Sequence, residues 1–371
     1  MAMNHRLALG LLEATHLTRA GRVLEATAAI QRVLRQQPVS ESVVNERSSD
    51  RGGATAGRVI EGVFSRIEEP GERQGANEVL EGPGKFIAGS YTNQHGMRAY
   101  KLYVPTGYVG QALPMVVMLH GCTQTPDDFA VGTRMNVLAE ERQCFVLYPA
   151  QSRSANRSRC WNWFKRAHQR REKGEPAILA GMTREIVKRY GIDTRKVYMA
   201  GLSAGGAMAA VMGAAYPDLY AAIGIHSGLP VGAAHDLPSA FAAMRGTPPA
   251  APAGAAAGSK PRTLPAIVFH GDRDATVHPR NGERVVSQCI ECNDSIDVVV
   301  QQGQVRGGHA YTRSVHRDPA GRVVLEHWEV HGAGHAWFGG DTRGSYTDPK
   351  GPDAGREMMR FFCESAPPDP G

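Results

Sequence analysis

Val197-Tyr198-Met199-Ala200-Gly201-Leu202-Ser203-Ala204-Gly205-Gly206-Ala207-Met208 sets a serine inside G-x-S-x-G, between an apolar strand-like run and a run of helix formers. It reads as a nucleophile elbow. A serine hydroxyl is a weak nucleophile at neutral pH, so it must stand clear of the backbone, beside a base and near donors that can hold an oxyanion. A tight strand-to-helix turn achieves this, at the expense of strain at the serine and crowding of its neighbours. Gly201 and Gly205 remove the side chains that would collide. The helix starting after Ser203 then directs unpaired N–H groups and its positive dipole end at a developing negative charge. With 43 glycines in 371 residues the pentapeptide alone is a weak signal. The β-branched and aromatic residues before it and the helix-forming run Ala207 to Met212 after it strengthen the reading.

A nucleophile of this kind is followed along the chain by an acid and then a histidine, each on a loop after a later strand. Leu264-Pro265-Ala266-Ile267-Val268-Phe269-His270-Gly271 has a buried-strand pattern and leads to Asp272 and Asp274. Asp274 lies further past the strand end, where it can reach a histidine, and is the expected acid. Asp272 reads as a turn former that accepts backbone hydrogen bonds. Val323 to Val330 is another strand pattern and runs into His331-Gly332-Ala333-Gly334-His335. His335, among glycines that suit an exposed loop, is the expected base, and His331, abutting the strand, is its main competitor. Met115 to Leu119, followed by His120-Gly121-Cys122, supplies the loop for a second oxyanion donor. Cys122 N–H would act with Ala204 N–H, the alternative being a simple strand-ending turn.

Leu119 to Gln124, Arg159 to Phe164, Gly201 to Gly206, His270 to Asp274 and Gly334 to Trp337 together resemble the short-chain-length polyhydroxyalkanoate (poly-3-hydroxybutyrate) depolymerase family of esterases. The similarity runs from about Gly84 to Cys363 and includes the Gly344 to Phe362 stretch, which resembles the family's terminal loop and helix. Feruloyl and acetylxylan esterases share much of this framework. The resemblance implies an α/β-hydrolase fold and an ester-hydrolysing serine enzyme. It places Trp161, Trp163 and Trp337 around the cleft, where an apolar wall suits a hydroxyalkanoate or an aromatic acyl group; Trp163 and Phe164 read equally as ordinary core. Cys122 and Cys160 both lie in these motifs, and a disulfide between them is the corresponding hypothesis.

The chain carries 42 Lys and Arg against 36 Asp and Glu, a formal net charge of +6. Residues 1–80 balance at ten against ten, so the excess lies beyond them. Arg153, Arg157, Arg159, Lys165, Arg166, Arg170, Arg171 and Lys173 form a basic stretch that reads as a solvated face or as a contact for an anionic granule surface. No nucleic-acid fold motif accompanies it. Leu7 to Leu12 is too short an apolar run for an export signal, and no stretch reaches the roughly 18 apolar residues of a membrane span. A cytoplasmic protein is the expectation from these features, with secretion as the alternative that the resemblance offers. Cys289-x-x-Cys292 has half a zinc or redox spacing without a second pair.

Residues 1–38 read as a helical segment, with an apolar stripe from Leu9 to Leu34 and a break at Gly21. Residues 39–83 read as a flexible linker, and 84–365 as the catalytic domain. Residues 230–263, rich in Pro, Gly and Ala, read as a mobile loop. The expected architecture is a doubly wound, mostly parallel α/β sheet needing no metal or cofactor, with the oligomeric state open. Its expected reaction is hydrolysis of poly- or oligo-(3-hydroxybutyrate)-type esters through an acyl-enzyme. The rivals are a feruloyl or acetylxylan esterase, a peptidase, or a catalytically silent granule-associated binding protein.

Overall fold

The structure is a computed structural model, and it describes residues 83–248, 264–291 and 297–365. The N-terminal helical segment expected at 1–38 lies outside these residues, as does all but the last residue of the 39–83 linker. The strands are β1 (Lys85–Asn93), β2 (Gly96–Val104), β3 (Met115–Leu119), β4 (Phe145–Pro149), β5 (Val197–Leu202), β6 (Ala222–His226), β7 (Ala266–Gly271), β8 (Asp297–Gln304), β9 (Ala310–Arg317), β10 (Val323–Val330), β11 (Trp337–Phe338) and β12 (Thr347–Asp348). The helices are α1 (Pro126–Thr133), α2 (Met135–Arg142), α3 (Gly174–Tyr190), α4 (Ala204–Ala215), α5 (Leu237–Met244), α6 (Arg280–Ile290) and α7 (Ala354–Ser365).

Among the described residues ten strands form one sheet in the order β1-β2-β4-β3-β5-β6-β7-β10-β9-β8. From β4 to β10 every pairing is parallel, and the margins β1-β2-β4 and β10-β9-β8 are antiparallel. The fold is therefore a doubly wound, mostly parallel α/β sheet. A parallel strand covered on both faces reads as a continuous apolar run, which is why Met115 to Leu119 is both uniformly hydrophobic and buried throughout. Alternate residues serve opposite faces. Val197 and Met199 of β5 pack with Leu179, Met182 and Met208 from α3 and α4, whereas Tyr198, Ala200 and Leu202 pack with Phe129, Leu138, Met358 and Phe362 from α1, α2 and α7.

The expected loop at 230–263 contains an element that the reading missed. Leu237–Met244 is a helix, started by a capping box in which Asp236 accepts from Ser239 N–H, with a proline in its first turn. Those local start signals outweigh the small-residue composition; residues 249–263 lie outside the described residues.

Candidate active site

The elbow forms where β5 ends at Leu202 and α4 begins at Ala204. Between them Ser203 takes φ 58° and ψ −118°, a conformation that costs a residue with a Cβ on the order of 1–3 kcal/mol. Its backbone is held from both sides, with Ser203 N–H donating to His226 O at 2.8 Å and its carbonyl accepting from Ala207 N–H at 2.9 Å. The glycines are required by close approach. A Cβ on Gly205 would stand 2.0 Å from Leu119 O, and one on Gly201 would stand 2.4 Å from the Gly205 carbonyl carbon. The end of β3 thus lies directly against the start of α4, and a Cβ on Gly121 would come within 3.7 Å of Ser203 Cβ.

The loop after β3 spends its donors selectively. Gly121 N–H reaches Gln124 Oε1 at 2.9 Å, Thr123 N–H reaches Ser158 O at 2.7 Å, and Gln124 N–H reaches Gly121 O at 3.4 Å. Among the described residues Cys122 N–H has no acceptor, and Ala204 N–H, first in its helix, has no intrahelical one. Beneath the loop, the His120 ring donates through Nδ1 to Gly121 O at 2.8 Å and accepts Gln151 N–H at Nε2, 3.1 Å away. Burial pushes this imidazole down to about 4, so it is neutral at neutral pH and can serve as that acceptor. Cys122 is disulfide-bonded to Cys160. Trp161 Nε1 donates to His120 O at 3.1 Å, so the Arg159 to Phe164 motif underpins the loop.

Asp274 lies past β7 with its side chain fully buried. Its Oδ1 accepts from Thr276 N–H and Val277 N–H, each at 2.8 Å, and its Oδ2 lies 2.6 Å from His335 Nδ1. Burial alone would raise the Asp274 carboxyl, but hydrogen bonds from His270 and His335 outweigh it and hold the group well below the usual carboxylate range. Nδ1 of His335 donates to Asp274, and among the described residues its Nε2 has no partner. Asp272 and His331 form a separate pair. His331 Nδ1 is 3.2 Å from Asp272 Oδ2, its Nε2 is 2.9 Å from Thr312 Oγ1, and Gly332 N–H donates to Asp272 Oδ1 at 2.7 Å. Both ring nitrogens of His331 are therefore occupied.

Residues 98–313 match the family model described as Esterase PHB depolymerase. The chain belongs to this family. A poly(3-hydroxyalkanoate) depolymerase C from Paucimonas lemoignei is 31% identical over 251 residues, 66% of this chain and 59% of that protein. An acetylxylan esterase A from Talaromyces purpureogenus is 29% identical over 219 residues, 55% of each. The chain thus spans little more than half the length of these relatives. Among solved structures, an acetyl xylan esterase from Aspergillus awamori covers 75% of this chain and 99% of its own at a TM-score of 0.56 and 20% identity, a likeness of fold.

In this Esterase PHB depolymerase family member the tryptophans do not form an open wall. Trp161, Trp163 and Trp337 are 0%, 6% and 1% exposed. An indole contributes most when its large apolar area is buried and its N–H is satisfied. Trp337 stacks on His226 with ring centroids 5.0 Å apart and meets the edge of Phe129 at 5.5 Å; Trp163 meets Phe164 edge-on at 5.6 Å. Trp161 supports the loop that carries Cys122, Trp337 follows His335 by two residues, and all three rings are buried in the core.

Two histidines escaped the sequence reading. His226, fully buried at the end of β6, accepts Phe338 N–H at Nε2, 3.1 Å away, while its carbonyl accepts Ser203 N–H. It ties the elbow to the His335 loop; Ser203 Oγ and His335 are not themselves hydrogen-bonded, a contact that commonly tightens only around substrate. Burial, reinforced by His270 and His335, holds its imidazole far below the ordinary range, hence neutral. His270 donates through Nε2 to Val277 O at 2.8 Å and stands 3.4 Å from Asp274 Oδ2. The available signal was a histidine ending each of two apolar runs.

Proposed function

We propose that the protein is a serine-dependent carboxylic ester hydrolase acting through an acyl-enzyme on poly- or oligo-(3-hydroxybutyrate)-type esters. The observation that carries this reading is the buried Asp274–His335 pair, with an unoccupied His335 Nε2, on a scaffold that also holds a strained Ser203 beside two unspent backbone N–H groups. Ser203 Oγ attacks the ester carbonyl while His335 Nε2 takes its proton. The oxyanion accepts from Cys122 and Ala204 N–H, donors already oriented before the charge develops. His335 returns the proton to the leaving alcohol, then draws one from water to release the acid. Asp274 holds the tautomer and stabilises the imidazolium. Trp161, Trp163 and Trp337 act by positioning.

Family membership and the depolymerase relative support the polyester reading; the acetylxylan esterase relative keeps acetylated sugars as the rival substrate. Among the described residues no helix is long and apolar enough to cross a membrane. The Cys122–Cys160 disulfide favours an oxidising compartment over the cytoplasm expected from the short Leu7 to Leu12 run, since such bonds persist where thiols are not kept reduced. A polymer granule surface is the partner this reading implies.

Fluorophosphonate labelling and hydrolysis of graded p-nitrophenyl esters, 3-hydroxybutyrate oligomers and acetylated xylose test it. Wild type should label and turn over while Ser203→Ala does neither. Folded wild type that neither labels nor hydrolyses would shift the reading to a silent binding protein.

A further inference from the structure

Tyr346 is an aromatic side chain that the site leaves in the open. It lies between β11 and β12 and is 47% exposed. Its φ of 54° is left-handed, uncommon for an aromatic residue, and Thr123, a β-branched residue facing it, has φ 69°. Such strain persists only where the surroundings over-determine it. Here Tyr346 O accepts Trp337 N–H at 2.6 Å, anchoring the segment just beyond His335. Ser345 N–H donates to Asp128 Oδ1 at 2.8 Å, and Ser345 O accepts from Gln124 Nε2 at 3.0 Å. Gln124 is also the residue that accepts Gly121 N–H. Tyr346 is therefore fixed to both the histidine loop and the oxyanion loop.

The hydroxyl protons can be assigned by counting. Thr123 has one, and its Oγ1 donates to Cys122 O at 2.5 Å. The 3.3 Å contact between Thr123 Oγ1 and Tyr346 Oη must then be a donation from the tyrosine. Its phenolic oxygen keeps acceptor capacity beside the residue that follows Cys122, next to an exposed aromatic face. An acceptor on an apolar surface suits a donor hydroxyl carried on a short apolar chain.

We propose that Tyr346 determines specificity by accepting a hydrogen bond from a hydroxyl group of the ester substrate, one borne near the scissile carbonyl. This rests on the hydrolase reading above. The hydroxyl belongs either to the acyl part, as in a 3-hydroxyalkanoate end, or to the alcohol part, as in a partly acylated sugar.

The test compares full-length wild type with Tyr346→Phe by kcat/KM on two matched pairs: methyl 3-hydroxybutyrate against methyl butyrate, and glycerol 1-acetate against propyl acetate. One hydrogen bond should lower the hydroxy-to-deoxy ratio about fivefold in Tyr346→Phe. The pair in which it falls identifies the part of the substrate that bears the hydroxyl. Unchanged ratios in both pairs, with Ser203 still labelled by fluorophosphonate, would overturn the Tyr346 assignment alone. Wild type inert on all four esters and unlabelled would overturn the hydrolase reading and this inference with it.

Discussion

Asp272 and Asp274 flank Arg273 just past β7, and each pairs with a histidine from the loop after β10. The Asp272–His331 pair is open to solvent, with side chains 32% and 40% exposed; the Asp274–His335 pair is closed, at 0% and 10%. Asp272 divides its acceptors between His331 and Gly332 N–H, so it ties a loop down. Asp274 receives two backbone N–H groups on one oxygen and His335 on the other, with His270 alongside, so its ionised form is held in place without water. His331 Nε2 meets Thr312, whereas His335 Nε2 is left for a proton. Identical residue types thus separate into a tether and the proposed base by burial and by what occupies the second ring nitrogen.

Replacing the two histidines should have effects of very different size. His335→Ala should lower kcat/KM on p-nitrophenyl butyrate by about 10⁶-fold, the order of loss when the histidine of such a triad is removed. His331→Ala should lower it by less than about threefold, because a half-exposed pair contributes little. Losses of similar size in steady-state rates would mean that the two pairs work as one unit.

The Cys122–Cys160 bond closes a sequence separation of 38 residues. Losing it in Cys160→Ala should cost about 4 kcal/mol in the chain-entropy account, read as a lower urea midpoint with a somewhat steeper slope, since the freed unfolded chain exposes more surface. A midpoint unchanged from wild type would contradict a bonded pair.

The smallest effect is one of pH. Burial pushes His120 down to about 4, below its ordinary value of 6.5. Between those values the unfolded chain binds the proton and the folded one does not. Stability is therefore full above about pH 6.5 and falls as pH drops towards about 4, by about 3 kcal/mol from this group. His120→Gln should flatten that part of the slope in urea titrations from pH 7 to pH 4; an unaltered slope would argue that the ring is not buried neutral.

Central strands were legible because burial on both faces leaves an unbroken apolar run, as in Met115 to Leu119 and Ala266 to Gly271. The elbow was legible because its glycines answer to backbone contacts that no other residue allows. The β8–β9 hairpin was not, since exposed Val298, Val299 and Val300 on the outermost strand carry no inward-outward alternation. Nor was the burial of Trp161, Trp163 and Trp337, because a tryptophan beside a cleft motif looks the same from sequence whether it lines the cleft or lies beneath it. His226 and Tyr346 act across long sequence separations, through Phe338 N–H and Thr123 Oγ1, and only the folded chain brings those partners together.

Asp274 rather than Asp272 is the proposed partner of the base His335. Asp274→Asn and Asp272→Asn should be compared by kcat on one p-nitrophenyl ester, with Ser203 labelling as a second readout. Asp274→Asn should lose about 10⁴-fold in kcat and label correspondingly slowly, because an asparagine favours the wrong tautomer of His335, while Asp272→Asn stays within about threefold of wild type. Comparable losses in the two variants, or the larger loss in Asp272→Asn, would contradict that assignment.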